Sequence, residues 1–198
     1  MNILILGDVF GPPGMKAITE KLPGLIKKKK IDFVIINGEN SGDAGVGITK
    51  KITEDLFNAG ADVITSGNHI WDEKETIEFI LSEERLLRPE NLVKGSPGKG
   101  FGIFNTKNNK KVAVINLMGN IFMKKSDDAF EAATDFIKKI KLKKNADFIV
   151  LIYENEEGAG FNTNTNHVYI YDKNGQSIEL KKDRKDRIAY KILDWVIN

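Results

Sequence analysis

Three short motifs in the first half of the chain carry groups that bind metals or move protons: Gly7-Asp8, Gly38-Glu39-Asn40 and Gly67-Asn68-His69. Together they hold two carboxylates, two amides and one imidazole. That donor set suits a hard or borderline divalent cation. A carboxylate placed between two such ions bridges them, and a pair of this kind clamps a phosphoryl group and activates water near neutral pH. His69 would then serve as general acid for the leaving group. Taken singly, each residue has an ordinary explanation. Asp8 could cap a turn, Asn40 could be a loop residue, Asn68 could hold a left-handed turn and His69 could make a structural hydrogen bond. Their shared position argues for a site.

That position follows from the elements around them. Asn2 to Leu6, Ile31 to Asn37 and Ala61 to Ser66 are short apolar runs, read as buried strands. Between them, Gly11-Pro12-Pro13-Gly14 reads as a turn with a helix behind it to about Lys29. Thr49 reads as the cap of a helix carrying Ile52 and Leu56 on one face. Asp72 should begin a helix holding Ile77, Ile80 and Leu81. Strands that are nearly all apolar and alternate with helices predict a parallel sheet covered on both faces. Right-handed crossovers bring the C-terminal ends of such strands to one edge, where open α/β sheets bind ligands.

The pattern then changes. Phe101 to Asn105 and Lys111 to Leu117 flank Lys107-Asn108-Asn109-Lys110, a predicted hairpin. Ser126 should cap a helix running to about Lys144. Phe148 to Ile152 is a further buried strand, and Glu154 to Asn166 reads as a loop. His167 to Tyr171 and Ser177 to Leu180 flank the turn Lys173-Asn174-Gly175. A helix from Arg184 to Val196 should close the chain. No repeat or interdomain linker is visible, so residues 1–198 are expected to form a single domain.

Composition narrows the function classes. At 198 residues the chain is long enough for one real core. Apolar residues make 41% and charged residues 29%, as in a soluble globular protein. There is no cysteine, which excludes thiolate metal sites and disulfides. No signal peptide or membrane span is visible, so a cytoplasmic protein is the default expectation. Thirty basic against 28 acidic residues give +2, which points to no specific nucleic-acid binding. The basic run Lys27 to Lys30 suits the end of a helix, where lysines complement the dipole.

Gly7-Asp8-Val9, Asn37-Gly38-Glu39-Asn40 and Gly67-Asn68-His69-Ile70-Trp71-Asp72 resemble the motifs of the YmdB-like branch of the calcineurin-like metallophosphoesterases. The resemblance continues, in order, through Arg88-Pro89-Glu90-Asn91, Gly95-Ser96-Pro97-Gly98-Lys99-Gly100 and Val114-Ile115-Asn116-Leu117-Met118-Gly119. It implies an α/β fold, a calcineurin-like phosphoesterase sandwich of two β-sheets flanked by helices, here truncated. It also implies a dinuclear metal site and phosphodiesterase activity, with cyclic nucleotides as a substrate class. By the resemblance Asp8 binds one metal, Glu39 bridges, Asn68 binds the second and His69 is the acid. Asn40 would touch substrate or support the ligands. Phe10 stands where many metallophosphoesterases carry a histidine ligand, though this branch lacks it too.

The chain departs from the family pattern in its second half. Tyr153, in Leu151-Ile152-Tyr153-Glu154-Asn155, falls where the family has a metal-binding histidine, and a phenol is a poor substitute for imidazole. The segment nearest to the family's two-histidine motif is Asn162 to Val168, with one histidine, His167. Glu154 and His167 are the residues available as replacements, although the flanking pattern makes His167 a strand residue. The expected cofactor is a divalent metal (Mn, Fe or Mg), as one ion rather than two, or none. The expected partner is a phosphodiester or nucleotide small molecule, with no membrane and with a homo-oligomer left open. The reading is a phosphodiesterase-related protein of reduced or lost activity. Its rival is a catalytically silent module that binds a nucleotide or a protein.

Overall fold

The computed structural model describes residues 1–119, 126–143, 146–154, 165–172 and 177–184, together with Arg187, Ile188 and Lys191. Side chains are described for all of these except 141–143, 153–154, 165–172 and 177. The chain divides into two compact units, residues 1–88 with 97–99, and residues 89–96 with 100–198.

The first unit is built on a parallel sheet of four strands in the order β1-β2-β3-β4. These are β1 (Ile3–Leu6), β2 (Phe33–Asn37), β3 (Val63–Thr65) and β4 (Leu86–Leu87). All five residues of β2 are buried, which is why its sequence shows no alternation. Leu6 pairs with Ile36 and Asn37 with Thr65, so the strands end level with one another. Strand β4 is two residues long, too short for any periodicity to announce it.

Two helices connect these strands. Helix α1 (Gly11–Lys29) starts at the predicted turn rather than after it, with Pro12 and Pro13 in its first turn. Their fixed φ suits that turn, and their missing N–H groups would have no helical partner there. Helix α2 (Lys50–Ala59) is capped as expected: Thr49 Oγ1 accepts from Ile52 N at 3.2 Å. It ends at Gly60, whose φ of 115° brings its N–H back to the carbonyls of Leu56 and Phe57.

The predicted helix from Asp72 does not form as one piece. Asn68–Trp71 make a 3₁₀ turn, and α3 covers only Thr76–Phe79. Thr76, Ile77 and Glu78 donate to carbonyls three residues back, whereas Phe79 and Ile80 donate four back. Tight turns advance each residue further around the axis than an α-helix does. The apolar stripe is therefore broken: Ile80 is buried, and Ile77 and Leu81 face solvent. Thr76 fixes this arrangement, because its buried hydroxyl donates to Ile48 O at 2.6 Å.

The second unit holds a mixed sheet in the order β5-β6-β7-β8-β9. Its strands are β5 (Phe101–Asn105), β6 (Lys111–Met118), β7 (Phe148–Glu154), β8 (Thr165–Asp172) and β9 (Ser177–Arg184). β6 and β7 run parallel, and the other neighbours are antiparallel. Between β6 and β7 lies α4 (Ala129–Lys143), whose Phe136 and Ile140 share a core with Ala113, Ile115, Leu117, Ile149 and Leu151. Asp128, not Ser126, caps this helix, with Oδ1 accepting from Glu131 N at 2.8 Å. Arg184 ends β9 rather than opening a helix. Of the expected closing helix, only Arg187, Ile188 and Lys191 are described, and Ile188 is buried.

The result is a mixed α/β protein with one parallel and one mixed sheet, each accompanied by helices. No helix among the described residues is long and apolar enough to cross a membrane.

Candidate active site

The three motifs leave the C-terminal ends of β1, β2 and β3. The segment after β2 is the best fixed of them. Asn37 turns its side chain back so that Oδ1 accepts from Glu39 N at 2.9 Å. Ser41 Oγ donates to Gly38 O at 2.6 Å, closing a tight turn. A Cβ on Gly38 would crowd Ile48, Leu56 and Ile64, so the chain passes directly over the core there. Glu39 and Asn40 are consequently buried, at 2% and 1% exposure.

A buried carboxylate is costly unless its oxygens are met. Glu39 Oε1 accepts from His69 N at 3.1 Å. Gly67 makes this approach possible: a Cβ there would overlap the Glu39 carboxylate group. The next residue, Asn40, donates from Nδ2 to Asp8 Oδ1 at 3.0 Å. Four of the expected residues, Asp8, Glu39, Asn40 and His69, are thus linked by two hydrogen bonds that meet at consecutive positions after β2.

His69 is half-buried, and its Nδ1 lies 2.6 Å from Asp72 Oδ2. With a carboxylate as partner the ring donates from Nδ1, leaving Nε2 for other chemistry. Asp72 lies within one of the sequence motifs, but nothing in that motif assigns it a role. Its position three residues after His69, within one turn, was the available signal. Asn37 and Gly67 escape sequence reasoning in the same way, as residues that hold a ligand rather than act as one. Asn68 is exposed and opens the 3₁₀ turn, ahead of His69.

The two suggested replacements belong to the second unit. Glu154 ends β7, opposite Met118 in the parallel register. His167 lies within β8 at an irregularity in the pairing with β9, between Asn166 and Val168. Their side chains lie outside the described residues. Among the described residues, no three His, Asp or Glu side chains are gathered closely enough to hold a metal.

Oxygen donors at the ends of parallel strands, in a chain that also builds a mixed sheet, are features of calcineurin-like phosphoesterases, and solved structures show that fold. A hypothetical protein from Thermus thermophilus matches with a TM-score of 0.70 and 34% identity, over 79% of this chain and 58% of that one. A novel phosphatase from Mycoplasma pneumoniae matches with a TM-score of 0.69 over 96% and 98% of the two chains, and at 21% identity it bears on the fold alone. A family model for YmdB-like proteins matches residues 4–167, and the chain belongs to that family. The 2',3'-cyclic-nucleotide 2'-phosphodiesterase of Bacillus subtilis (strain 168) is 47% identical over 137 residues, 69% of this chain and 51% of the relative. The chain spans about half the length of the curated relatives it matches.

Proposed function

We propose that this chain binds a phosphodiester or nucleotide through one divalent cation held by Asp8, Glu39 and Asn68, with turnover reduced or absent. The observation that carries this reading is the buried Glu39 carboxylate, held against Gly67 and the His69 amide. A structural carboxylate gains little from such burial, whereas a ligand gains a fixed position. The donors are all oxygens, which fits magnesium or manganese better than softer ions. Bound there, such a cation polarises a phosphoryl oxygen.

The chain's own residues would do the rest. Asn40 orients the Asp8 carboxylate. Asp72 holds His69 by Nδ1, which leaves Nε2 as the atom that gives a proton to the leaving oxygen. The relation to the Bacillus subtilis protein supports 2',3'-cyclic nucleotides as the substrate class, and a cytoplasmic location belongs to the same proposal.

A second reading, a silent nucleotide- or protein-binding module, is favoured by a different observation. The described residues gather no three acidic or imidazole groups around a metal position, and Tyr153 replaces a histidine of the family pattern. One experiment separates the two. Purified protein is analysed for bound metal and assayed with 2',3'-cyclic nucleotides and added manganese. Metal-dependent turnover lost in both Asp8→Asn and His69→Ala supports the phosphodiesterase. A nucleotide that raises the melting temperature without being cleaved supports the silent module. Neither metal binding, turnover nor nucleotide binding would sink both.

A further inference from the structure

Phe10 is an aromatic ring held in solvent two residues from Asp8. The residue is 62% exposed. Its backbone is nevertheless pinned on both sides to the segment that carries Glu39. Val9 N donates to Asn37 O at 3.0 Å, and Gly11 N donates to Asn40 O at 2.8 Å. Those two bonds bracket Phe10 in the segment after β1, and Gly38 and Glu39 in the segment after β2. The Phe10 carbonyl also accepts from Gly14 N at 3.1 Å.

The ring itself is seated. Its outer edge lies on Gly45, where an added Cβ would come within 2.6 Å of Cζ and 3.0 Å of Cε2. Gly45 has a φ of 78°, and its N–H donates to Gly42 O at 2.8 Å. Gly42 N in turn donates to Gly47 O at 2.8 Å, closing the loop beneath the ring. The loop Gly42-Asp43-Ala44-Gly45-Val46-Gly47 has small residues around that contact. With one edge on Gly45 and the residue largely exposed, the ring leaves surface open to a flat ligand.

The start of α1 offers nothing to compete for an anion at this point. Pro12 and Pro13 have no N–H, and those of Gly11 and Gly14 are already bonded. What the chain presents two residues after Asp8 is an exposed aromatic ring whose backbone is tied to the segment that carries Glu39.

We propose that Phe10 is the stacking platform for the base of a nucleoside phosphate whose phosphate lies at Asp8 and Glu39. This rests on the proposed function and adds a specificity residue to it. Stacking of a base on an aromatic side chain tolerates any base, because every base has a π-face. The loss on removing such a ring is about 5- to 100-fold in affinity.

The test compares adenosine 2',3'-cyclic phosphate with glycerol 1,2-cyclic phosphate, which keeps the cyclic diester and lacks the base. Affinities are read as KM where turnover occurs and as Kd where it does not, with magnesium or manganese present. Phe10→Ala should lose about 5- to 100-fold for the nucleotide and less than about twofold for the glycerol ester, and Phe10→Trp should restore the nucleotide. Equal losses for both ligands, or no loss for either, would overturn the stacking role while leaving the phosphate site standing. If the unaltered protein binds neither ligand, or Asp8→Asn weakens neither, the proposed function fails and the stacking role fails with it.

Discussion

The backbone N–H of His69 donates to Oε1 of Glu39, joining the turn after β3 to the segment after β2 at 3.1 Å. One residue thus serves two ends of the site. Its amide fixes a carboxylate, and its ring meets Asp72. Substitutions of the His69 side chain should leave the first bond in place, so they test the ring alone.

Gly67→Ala should behave differently. The added methyl would fall on the Glu39 carboxylate, which cannot retreat because it is buried. Overpacking of this kind typically costs about 1–3 kcal/mol. Denaturant unfolding should show that loss, and stabilisation by magnesium should vanish with it. An alanine variant as stable and as metal-responsive as the parent would show that Glu39 does not need its present place.

The Asp72 contact predicts a tautomer. The ring of neutral His69 should carry its proton on Nδ1, and Asp72→Ala should shift population toward Nε2-H. Long-range ¹H–¹⁵N spectra of labelled protein read this directly. An unchanged pattern in the variant would remove Asp72 as the group that positions the imidazole.

A cation at the strand ends should stabilise the fold. At a free concentration a hundred times its Kd, a ligand specific to the native state adds about 2.7 kcal/mol. Thermal melts with magnesium or manganese should rise, and the double variant Asp8→Asn, Glu39→Gln should abolish the rise. Manganese should also broaden the side-chain amide signals of Asn40 and Asn68 before those of distant amides. A melting point indifferent to both metals would count against the oxygen site.

Asn91 makes a stability prediction in the second unit. Its Nδ2 donates to the carbonyls of Met118 and Asp127, and its Oδ1 accepts from Met118 N at 2.9 Å. The side chain is buried. Asn91→Ala would leave backbone groups unmet and should cost about 3 kcal/mol, since each buried orphan costs about 1–3. Asn91→Asp keeps the shape but loses both donors, so it should also destabilise. A loss below about half a kilocalorie in both variants would show that water takes over these bonds.

Much of this is legible in the sequence, and the residues explain why. β2 can be read because burial on both faces leaves a continuous apolar run. The cap of α2 can be read because Thr49 needs only its own local chain. Asp8, Glu39, Asn40 and His69 can be grouped because parallel strands must bring their ends to one edge. The helix after Asp72 misleads because Ile77, Ile80 and Leu81 have helical spacing, while a long-range bond from Thr76 to Ile48 imposes tighter turns. The cap of α4 is ambiguous because Ser126, Asp127 and Asp128 all suit such a position, and only geometry selects Asp128. Asp72 and Gly67 draw no notice because their value lies in what they place beside them.

Both sheets hold their strands in the order in which the chain makes them. Among the described strands, none has to be inserted between two that are already paired. Each can join the edge left by its predecessor, so loop closure stays local and the separation between partners stays short. The parallel pair β6 and β7 is the longest step, and α4 bridges it. A nascent chain emerging at about 5–20 residues per second could therefore lengthen each sheet strand by strand. The first unit's sheet could pair completely once Leu87 has cleared the ribosome, before β5 emerges in its turn.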